Sequence, residues 1–301
     1  EPIGNENDGA FTGRFDGNGH TINNLTLDYD TYKYVGLFGY LDGPVYNVTL
    51  ENVDVKSSRY GGGIAGYADT NGTIRNCAVS GTVTVKNSYF STYRGGIVGY
   101  SNAEISSCES DTSIEYTGYS AKDKYAGGIA GYSLDRIDNC INRGNIKEDY
   151  WSDSVGGIVG ASKGKVSNSI NFGDHEYNYK GGGIVGLSYN TEVSNCENNG
   201  DGFNYGIGGT GKNCINSGKI SECGGKFGMN FGKTSSSNTN AYGYYNYYDN
   251  YIYIYIFQII AKPLNQILSQ NPYLKFLMMK ALISWTLKYG NVTQNGTVVF
   301  L

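Results

Sequence analysis

Gly181-Gly182-Gly183-Ile184-Val185-Gly186 is one of six copies of a short stretch that recurs along the first two thirds of the chain. Counted by their final glycine, the copies end at Gly39 (VGLFG), Gly66 (GGGIAG), Gly99 (RGGIVG), Gly131 (AGGIAG), Gly160 (VGGIVG) and Gly186 (GGGIVG). The intervals between these glycines are 27, 33, 32, 29 and 26 residues. A period of roughly 20 to 50 residues indicates a repeat architecture in which each unit buries its apolar face by stacking on the next. The stretch therefore predicts a repetitive scaffold.

A second piece follows each copy and consists of an aliphatic residue, a variable residue, Asn or Ser, and Cys. It occurs as Ile74-Arg75-Asn76-Cys77, Ile105-Ser106-Ser107-Cys108, Ile137-Asp138-Asn139-Cys140 and Val193-Ser194-Asn195-Cys196. Its variants are Ile22-Asn23-Asn24-Leu25, Val45-Tyr46-Asn47-Val48, Val166-Ser167-Asn168-Ser169 and Lys212-Asn213-Cys214. With a third short strand such as 81–85, these pieces predict three short strands per turn of a parallel β-helix. A propeller blade needs four strands and roughly 40 or more residues, which exceeds the observed period.

Stacked coils place equivalent positions about 4.8 Å apart, so the repeats predict columns of like residues. The expected interior columns are Leu37, Ile64, Ile97, Ile129, Ile158 and Ile184, and the residues at 25, 48, 77, 108, 140, 169, 196 and 214. The eight positions of the second column predict about eight coils, and the crossover rule predicts that they are right-handed. Paired glycines such as Gly95-Gly96 are expected at a corner where the backbone needs positive φ or close approach.

The sequence divides into a solenoid over residues 1–232, a Ser/Asn/Tyr-rich linker over 233–250 and a C-terminal segment over 251–301. Residues 251–256 alternate Tyr and Ile, which indicates a strand. Asn271 suits a helix N-cap, and the apolar spacing after it predicts a hydrophobic helix, so the segment is expected to be a cap or an assembly element. Lys275, Lys280 and Lys288 interrupt its apolar run, so a membrane-spanning helix is not expected here.

The net charge of -4 and the pI of about 5.3 exclude a basic stripe for neutralising phosphates, so a nucleic acid partner is not expected.

These repeats resemble the GLUG-motif repeat family, whose hallmark is seen here as Gly36-Leu37-Phe38-Gly39 and Gly96-Ile97-Val98-Gly99. Residues 11–22 (FTGRFDGNGHTI) are similar to the segment that introduces such arrays. The resemblance covers roughly residues 1–230 and implies a bacterial surface or secreted, adhesin-like protein. GLUG repeats also flank the peptidase unit of immunoglobulin A metallopeptidases. The zinc-peptidase pattern His-Glu-x-x-His is absent here, because His175-Glu176 has no second histidine. The resemblance therefore implies a scaffold at the cell surface rather than proteolysis.

The cysteines and the acidic turn predict no cofactor and no metal. Five of the six cysteines share one column, where inward thiols behave as small apolar groups, so a reduced ladder is expected. The alternative is a disulfide between Cys214 and Cys223. No Cys-x-x-Cys pair suggests a zinc site. The turn Asp16-Gly17-Asn18-Gly19 lacks the bidentate glutamate of a calcium loop, because Leu27 stands at that position.

Two sets of tyrosines recur with the motif and are the candidate binding residues. Tyr40, Tyr67, Tyr100 and Tyr132 follow the last glycine, and Tyr60, Tyr93 and Tyr125 stand six residues before it. Stacked coils align them into ladders, which either stabilise the sheets or form an aromatic platform for a sugar or a protein. Catalysis would need converging carboxylates; the candidates are Asp135, Arg136 and Asp138, and the loop residues Asp149, Asp153, Asp174 and His175.

The sequence thus predicts a non-enzymatic, extracellular or cell-surface β-solenoid that acts as an adhesin or stalk, with a host or matrix glycan or protein as its partner. One alternative is a filament subunit that joins end to end through the C-terminal segment, with Tyr251, Tyr253, Tyr255, Leu277 and Trp285 as assembly residues. A second alternative is a polysaccharide-processing β-helix enzyme.

Overall fold

The described part of the chain is an all-β solenoid of parallel sheets. A computed structural model describes residues 1–29, 32–85, 90–117, 123–147, 154–176, 181–189, 191–203, 207–208, 210–212, 214–217 and 232–234. These ranges contain 31 strands and no helix. The strands form four sheets, and every pairing between named strands is parallel. The predicted class, a parallel β-helix, is confirmed.

The strands are numbered in chain order, coil by coil. A partial coil precedes coil one and contains β1 (Phe15–Asp16), β2 (Thr21–Asn23) and β3 (Thr26–Tyr29). Coil one contains β4 (Tyr34–Val35), β5 (Phe38–Leu41), β6 (Val45–Tyr46) and β7 (Thr49–Ser57). Coil two contains β8 (Tyr60–Gly62), β9 (Ala65–Ala68), β10 (Ile74–Arg75) and β11 (Ala78–Val85). Coil three contains β12 (Thr92–Gly95), β13 (Val98–Ser101), β14 (Ile105–Ser106) and β15 (Glu109–Tyr116). Coil four contains β16 (Lys124–Gly127), β17 (Ala130–Ser133), β18 (Ile137–Asp138), β19 (Ile141–Asn142) and β20 (Ile146–Lys147). Coil five contains β21 (Ser154–Gly156), β22 (Val159–Ser162), β23 (Val166–Ser167) and β24 (Ile170–Asn171). Coil six contains β25 (Gly181–Gly182), β26 (Val185–Ser188), β27 (Glu192–Ser194) and β28 (Glu197–Asn198). The last strands are β29 (Thr210–Lys212), β30 (Cys214–Asn216) and β31 (Gly232–Thr234).

Each complete coil contributes to four sheets, which we number in the order the chain visits them. The first sheet stacks β4, β8, β12, β16, β21 and β25, and the second stacks β5, β9, β13, β17, β22 and β26. The third runs from β1 through β6, β10, β14, β18, β23 and β27 to β29, and the fourth contains the remaining strands. Two details of the prediction are wrong. Each coil has four strands rather than three, and about six coils are complete, because two of the eight predicted positions belong to partial coils at the ends.

The glycine-rich motif forms two strands joined by a corner, and the reason is close backbone packing. In coil two, β8 ends at Gly62, Gly63-Ile64 turns the corner, and β9 follows. A Cβ on Gly62 would overlap the carbonyl oxygen of Ala65, and one on Gly66 would lie 2.5 Å from the backbone nitrogen of Val35. None of these motif glycines has positive φ. Of the two predicted reasons for glycine, close approach is therefore the one that applies.

The Ile-x-Asn-Cys piece was predicted to be one strand, but it spans a second corner. The Asn position adopts left-handed backbone, with φ of 54° at Asn47, Asn76 and Asn139. Asparagine tolerates this conformation better than most residues. Stacked corners are linked through their side chains, since Asn76 Nδ2 donates to Asn47 Oδ1 at 2.7 Å. The aliphatic residue and the residue after it thus form the strand of the third sheet, and the residue after the Cys position begins the strand of the fourth.

One member of the predicted column is misplaced. Strand pairing sets Phe15 opposite Val45 and Ile22 opposite Leu50, so Ile22-Asn23-Asn24-Leu25 belongs to the fourth sheet. Leu25 therefore leaves the Cys column, which runs from Val48. The turn before it is as predicted, because Asn18 and Gly19 have φ of 50° and 74° and His20 N donates to Gly17 O at 2.8 Å.

The two interior columns are otherwise confirmed. The aliphatic column is buried, as is a column of Val48, Cys77, Cys108, Cys140, Ser169, Cys196 and Cys214. The thiols of Cys77, Cys108, Cys140 and Cys196 are free and donate to backbone carbonyl groups at 3.3 to 3.4 Å. Burial raises the pKa of Cys108 well above its usual value. The expected reduced ladder is thus present, while the alternative partner Cys223 lies outside the described residues.

A buried asparagine ladder was not predicted from the sequence. Asn142, Asn171, Asn198 and Asn216 are stacked in successive coils, and each amide nitrogen donates to the next amide oxygen at 2.7 to 2.8 Å. Asn171 also closes the turn after it, donating to Gly173 O at 2.9 Å and accepting from Gly173 N at 3.2 Å. The ladder satisfies buried polar groups along the inside of the fourth sheet.

Asn171→Ala is expected to lower the free energy of unfolding by about 2 kcal/mol, because Asn142 and Gly173 lose buried hydrogen-bond partners. Urea unfolding followed by circular dichroism measures this change. Asn145→Ala, in the preceding coil, is the control and should cost much less, because Asn145 is exposed and accepts only a solvent-exposed bond from Asp174 N. Equal costs would contradict the role assigned to the ladder.

The chain divides into two compact units, Glu1–Asn246 and Tyr247–Leu301. All the described strands belong to the first unit. The second unit lies outside the described residues, and with it the predicted strand at 251–256 and the helix after Asn271.

Candidate functional site

The candidate tyrosines form one contiguous array, which we call the tyrosine zipper: Tyr34, Tyr40, Tyr60, Tyr67, Tyr93, Tyr100, Tyr125 and Tyr132. The first sheet aligns Tyr34, Tyr60, Tyr93 and Tyr125 through strand pairing. The second sheet aligns Tyr40, Tyr67, Tyr100 and Tyr132. Both predicted ladders are thus present. Tyr34 was missed because it stands five residues before its motif glycine instead of six.

The rings pack in two ways. Within a ladder the inner rings stack face to face: Tyr60 and Tyr93 are 4.7 Å apart with planes 6° apart, and Tyr100 and Tyr132 are 5.0 Å and 4° apart. The first pair of each ladder is not stacked, because Tyr40 meets Tyr67 edge on at 85° and Tyr34 is tilted by 45° against Tyr60. Between ladders they meet edge to face, as Tyr93 and Tyr100 do at 5.2 Å and 82°. Both arrangements are favourable for aromatic quadrupoles. Each inner ring therefore contacts neighbours on both its faces and its edges.

The zipper lies where the first and second sheets meet, beside the glycine columns. Because the motif glycines allow the two backbones to approach closely, a tyrosine on one sheet reaches a tyrosine on the other. Tyr60, Tyr125 and Tyr132 are nearly buried, and the others are half-buried. Two cations cover the N-terminal end, with Lys33 Nζ 4.5 Å from the Tyr34 ring centroid and the Arg59 guanidinium 5.0 Å from that of Tyr60.

A carboxylate organises the hydroxyl groups at this end. Tyr40 donates its hydroxyl proton to Asp69 Oδ2 at 2.8 Å. Asn102 Nδ2 donates to Asp69 Oδ1 at 3.1 Å and to the Tyr67 hydroxyl at 2.7 Å. The bond to Asp69 raises the pKa of Tyr40 to about 12. Burial opposes ionisation of Asp69, but the bonds from Asn102, Tyr40 and the Thr70 backbone outweigh it and lower the pKa of Asp69.

Tyr100→Ala is expected to lower the free energy of unfolding by about 2 kcal/mol, because it removes two stacked and two edge-on ring contacts from a half-buried position. Tyr100→Phe keeps the ring and should change stability little. Urea unfolding measures both, with Tyr46→Ala, outside the zipper, as the control. A cost for Tyr100→Ala no greater than that for Tyr46→Ala would show that the stacking does not stabilise the coils.

Two buried cations were missed by sequence reasoning. Arg94 is fully buried and Lys124 is 3% exposed, and they lie 4.8 and 4.4 Å from the ring centroid of Tyr116. Arg94 Nη1 donates to Thr92 Oγ1 at 2.9 Å. Strand pairing places Arg94 between Gly61 and Ala126, whose small size leaves room for its long side chain.

The described acidic candidates are each bonded to a neighbouring group. Arg136 binds Glu104 at 3.0 Å, and its backbone nitrogen donates to Asp135 Oδ1 at 2.7 Å. Asp138 accepts bonds from Ser167 Oγ at 2.6 Å and Asn168 Nδ2 at 2.8 Å.

The remaining candidates do not complete a site. Asp174 Oδ1 accepts the backbone N–H of Asp201 at 2.8 Å, while His175 is buried. Asp149 and Asp153 lie outside the described residues. Among the described residues, no three His, Cys, Asp or Glu side chains form a group suited to a metal ion.

The structure shows no helix that could cross a membrane among the residues it describes. The assembly candidates Tyr251, Tyr253, Tyr255, Leu277 and Trp285 lie outside those residues.

Comparison with known proteins identifies the repeat. The sequence profile of the GLUG motif matches residues 57–84, which cover the end of β7 and the strands β8 to β11. A segment of 118 residues is 42% identical to halomucin of Haloquadratum walsbyi. That segment is 38% of this chain but only 1% of halomucin. The chain thus carries the GLUG motif that its sequence indicated, and a GLUG repeat on a β-solenoid fits a surface or structural repeat protein.

A solved structure has the same fold. The crystal structure of a candidate immunoglobulin A1 protease from Bacteroides ovatus superposes with a TM-score of 0.52 over 73% of this chain and 66% of that chain. The two sequences are 24% identical, so the likeness concerns the fold alone.

Proposed function

We propose that these GLUG repeats form a non-enzymatic structural module of a secreted or cell-surface protein, which presents a line of variable loops to a glycan or protein partner. The observation that supports this most is the division between what repeats and what varies. The repeated residues are the core columns, the asparagine corners and the tyrosine zipper, which all serve stacking. A partner would then be recognised by residues that differ between coils.

The variable residues are concentrated in the connections from the fourth sheet to the first. These connections join the same two sheets in successive coils, so their ends lie along one corner of the solenoid: 86–91 (KNSYFS), 117–123 (TGYSAKD), 148–153 (EDYWSD) and 172–180 (FGDHEYNYK). They contain aromatic, acidic and basic residues. Tyr and Trp provide large contact areas at low entropic cost, as in loop-based binding surfaces.

The zipper is a less suitable sugar platform than these loops. A sugar stacks on an exposed ring face, whereas the faces of Tyr93 and Tyr100 are covered by neighbouring rings.

A loop exchange tests this proposal. Replacing 148–153 (EDYWSD) by the sequence of 86–91 (KNSYFS) keeps the length of the connection and removes its three carboxylates and Trp151. We expect weaker binding to an array of immobilised glycans and matrix proteins, with circular dichroism and melting temperature unchanged. Tyr100→Phe is the control and should bind like the parent chain. Absence of any ligand for the parent, or unchanged binding after exchange of all four connections, would refute the loop assignment.

A filament subunit is the alternative proposal, and its donor segment lies outside the described residues. At the N-terminal end, β1, β2 and β3 each pair on one side with a following strand and have two, three and four residues. Asp16 and Asp28 lie on these edge strands. Short, charged edges oppose strand addition, so the described N-terminal end does not favour this alternative. Electron microscopy over a range of protein concentrations decides it, since concentration-dependent filaments would support end-to-end assembly.

A polysaccharide-processing enzyme is the remaining alternative. Asp135 accepts a hydrogen bond from the Arg136 backbone and Asp138 accepts one from Ser167, which supports a structural role for these carboxylates. Incubation with acidic and neutral polysaccharides should leave their chain length unchanged. Cleavage that persists in the purified parent chain and is lost in Asp138→Asn would overturn the non-enzymatic proposal.

A further inference from the structure

The tyrosine zipper has a chemical property that its role in stability does not require. Phenols are among the most easily oxidised protein side chains, and here four inner contacts within the ladders are stacked at 4.7 to 5.4 Å. Edge-on contacts of 5.2 to 6.2 Å join the two ladders in every coil from Tyr60 to Tyr132. An electron vacancy on one ring therefore has a contact path to every other ring of the zipper.

Tyr40 differs from the rings behind it in what its hydroxyl group does. A tyrosine that loses an electron becomes strongly acidic, so oxidation is easiest where an acceptor already holds the hydroxyl proton. Tyr40 donates to the Asp69 carboxylate at 2.8 Å, which is within direct proton-transfer distance. Tyr67 instead accepts a bond from Asn102 at 2.7 Å, which withdraws electron density from its oxygen and makes it harder to oxidise.

We propose that the tyrosine zipper is a site of one-electron oxidation, in which the electron vacancy migrates among the stacked phenols and comes to rest at Tyr40, whose proton passes to Asp69. The reactant is a diffusing outer-sphere one-electron oxidant. It takes one electron and is reduced; Tyr40 becomes a neutral phenoxyl radical, and Asp69 becomes a carboxylic acid. A small thiol or enediol reductant then returns one electron to Tyr40, and the proton returns from Asp69.

Such a site would let an extracellular repeat be oxidised and reduced again without cleavage of its backbone. The half-buried rings Tyr40, Tyr67, Tyr93 and Tyr100 give the oxidant access. The buried thiols of the Cys column face the interior and are separated from this surface. Asn102 holds Asp69 in place through its bond to Oδ1, and the Thr70 backbone donates to the same oxygen at 2.9 Å.

The test injects the vacancy at the far end of the zipper. Lys163→Cys, made together with Cys223→Ser, places a thiol for labelling near Tyr189, which lies 6.2 Å from Tyr132, and a ruthenium polypyridyl complex is attached there. After photochemical oxidation to ruthenium(III), electron paramagnetic resonance measures the yield and lifetime of the tyrosyl radical. We expect the lifetime to fall at least fivefold in Tyr40→Phe and in Asp69→Asn, which remove the hydroxyl donor and the proton acceptor.

Variants that keep the packing separate this chemistry from a structural role. Tyr40→Phe retains the ring, so circular dichroism and the urea midpoint should stay near those of the parent. Tyr46→Phe, outside the zipper, should leave yield and lifetime unchanged. The double variant Tyr93→Phe, Tyr100→Phe interrupts both ladders and should lower the yield at Tyr40. An unchanged lifetime in Tyr40→Phe, or a dityrosine cross-link between inner rings as the main product, would overturn the proposal.

Discussion

Gly182→Ala is expected to lower the free energy of unfolding by about 3 kcal/mol, whereas Gly181→Ala in the same strand should stay within about 0.5 kcal/mol of the parent. A Cβ on Gly182 would overlap the carbonyl oxygen of Val185, which is backbone and cannot rotate away. A Cβ on Gly181 would lie 3.2 Å from the carbonyl oxygen of Val155 and 3.4 Å from Phe203 Cδ1, which a small adjustment accommodates. Urea unfolding of the two variants measures the difference.

The pair is a matched control, because both residues lie in β25 and neither has positive φ. A difference in cost therefore reports the space around each Cβ and not backbone strain. Equal costs at the two positions would contradict the view that the motif glycines exist to let the first and second sheets approach. The homologous change Gly127→Ala, in coil four, should behave like Gly182→Ala because its Cβ would overlap Ala130 O.

The period and the inward columns could be read from the sequence because stacking forces each coil to repeat the same pattern. Ile64, Ile97 and Ile129 recur at one place in the motif, and the structure buries all three. The two tyrosine ladders followed by the same logic, since a residue at a fixed distance from the motif glycine must align with its copies. Stacking thus makes side-chain neighbours in different coils predictable without any knowledge of the loops.

The corners could not be read in this way. Ile74-Arg75-Asn76-Cys77 alternates like a strand, and nothing in its composition separates a strand from a two-residue strand followed by a left-handed asparagine. The paired glycines did indicate a corner, but the glycine motif was assigned to one strand instead of two, which reduced the predicted strands per coil from four to three. Leu25 was assigned to the Cys column because Ile22-Asn23-Asn24-Leu25 has the pattern of the Ile-x-Asn-Cys piece. Strand pairing instead places Phe15 opposite Val45, the aliphatic residue of that piece in coil one.

Buried charge was the other feature that escaped prediction, and it depends on register. An arginine in the motif reads as a surface residue unless its neighbours in adjacent coils are known. Aligning the tyrosines would have placed Gly61 and Ala126 on either side of Arg94 and shown that space exists for it. The sequence therefore contained the information that Arg94 could be buried, but only an alignment of three coils makes it visible.

The free energy of unfolding is expected to fall by about 3 kcal/mol between pH 6.5 and pH 4 because of His175 alone. His175 lies opposite Ile146, is 3% exposed and stacks on Phe203 at 5.7 Å. Among the described residues neither ring nitrogen has a hydrogen-bond partner of good geometry. Burial lowers the pKa of His175 to about 4, and the nearby Gly202 peptide offsets only part of that effect.

The direction of this change in stability with pH follows from which state of the chain binds the proton. Between pH 4 and the ordinary histidine pKa of 6.5, the unfolded chain binds a proton at His175 and the folded chain does not. Stability therefore rises with pH across this window and is lost as pH falls through it. The flanking side chains of Asp174 and Glu176 are exposed. Urea unfolding at a series of pH values measures the slope.

His175→Phe should remove this part of the pH dependence and stabilise the chain at pH 5, because an uncharged ring in the same place extends the stack with Phe203. His20→Gln is the matched control, since His20 is the other of the two histidines and is exposed. It should leave the slope between pH 4 and pH 6.5 unchanged. If His175→Phe retained the full slope, carboxylates elsewhere would have to account for it, and the buried imidazole would not be the group that makes the last coils sensitive to acid.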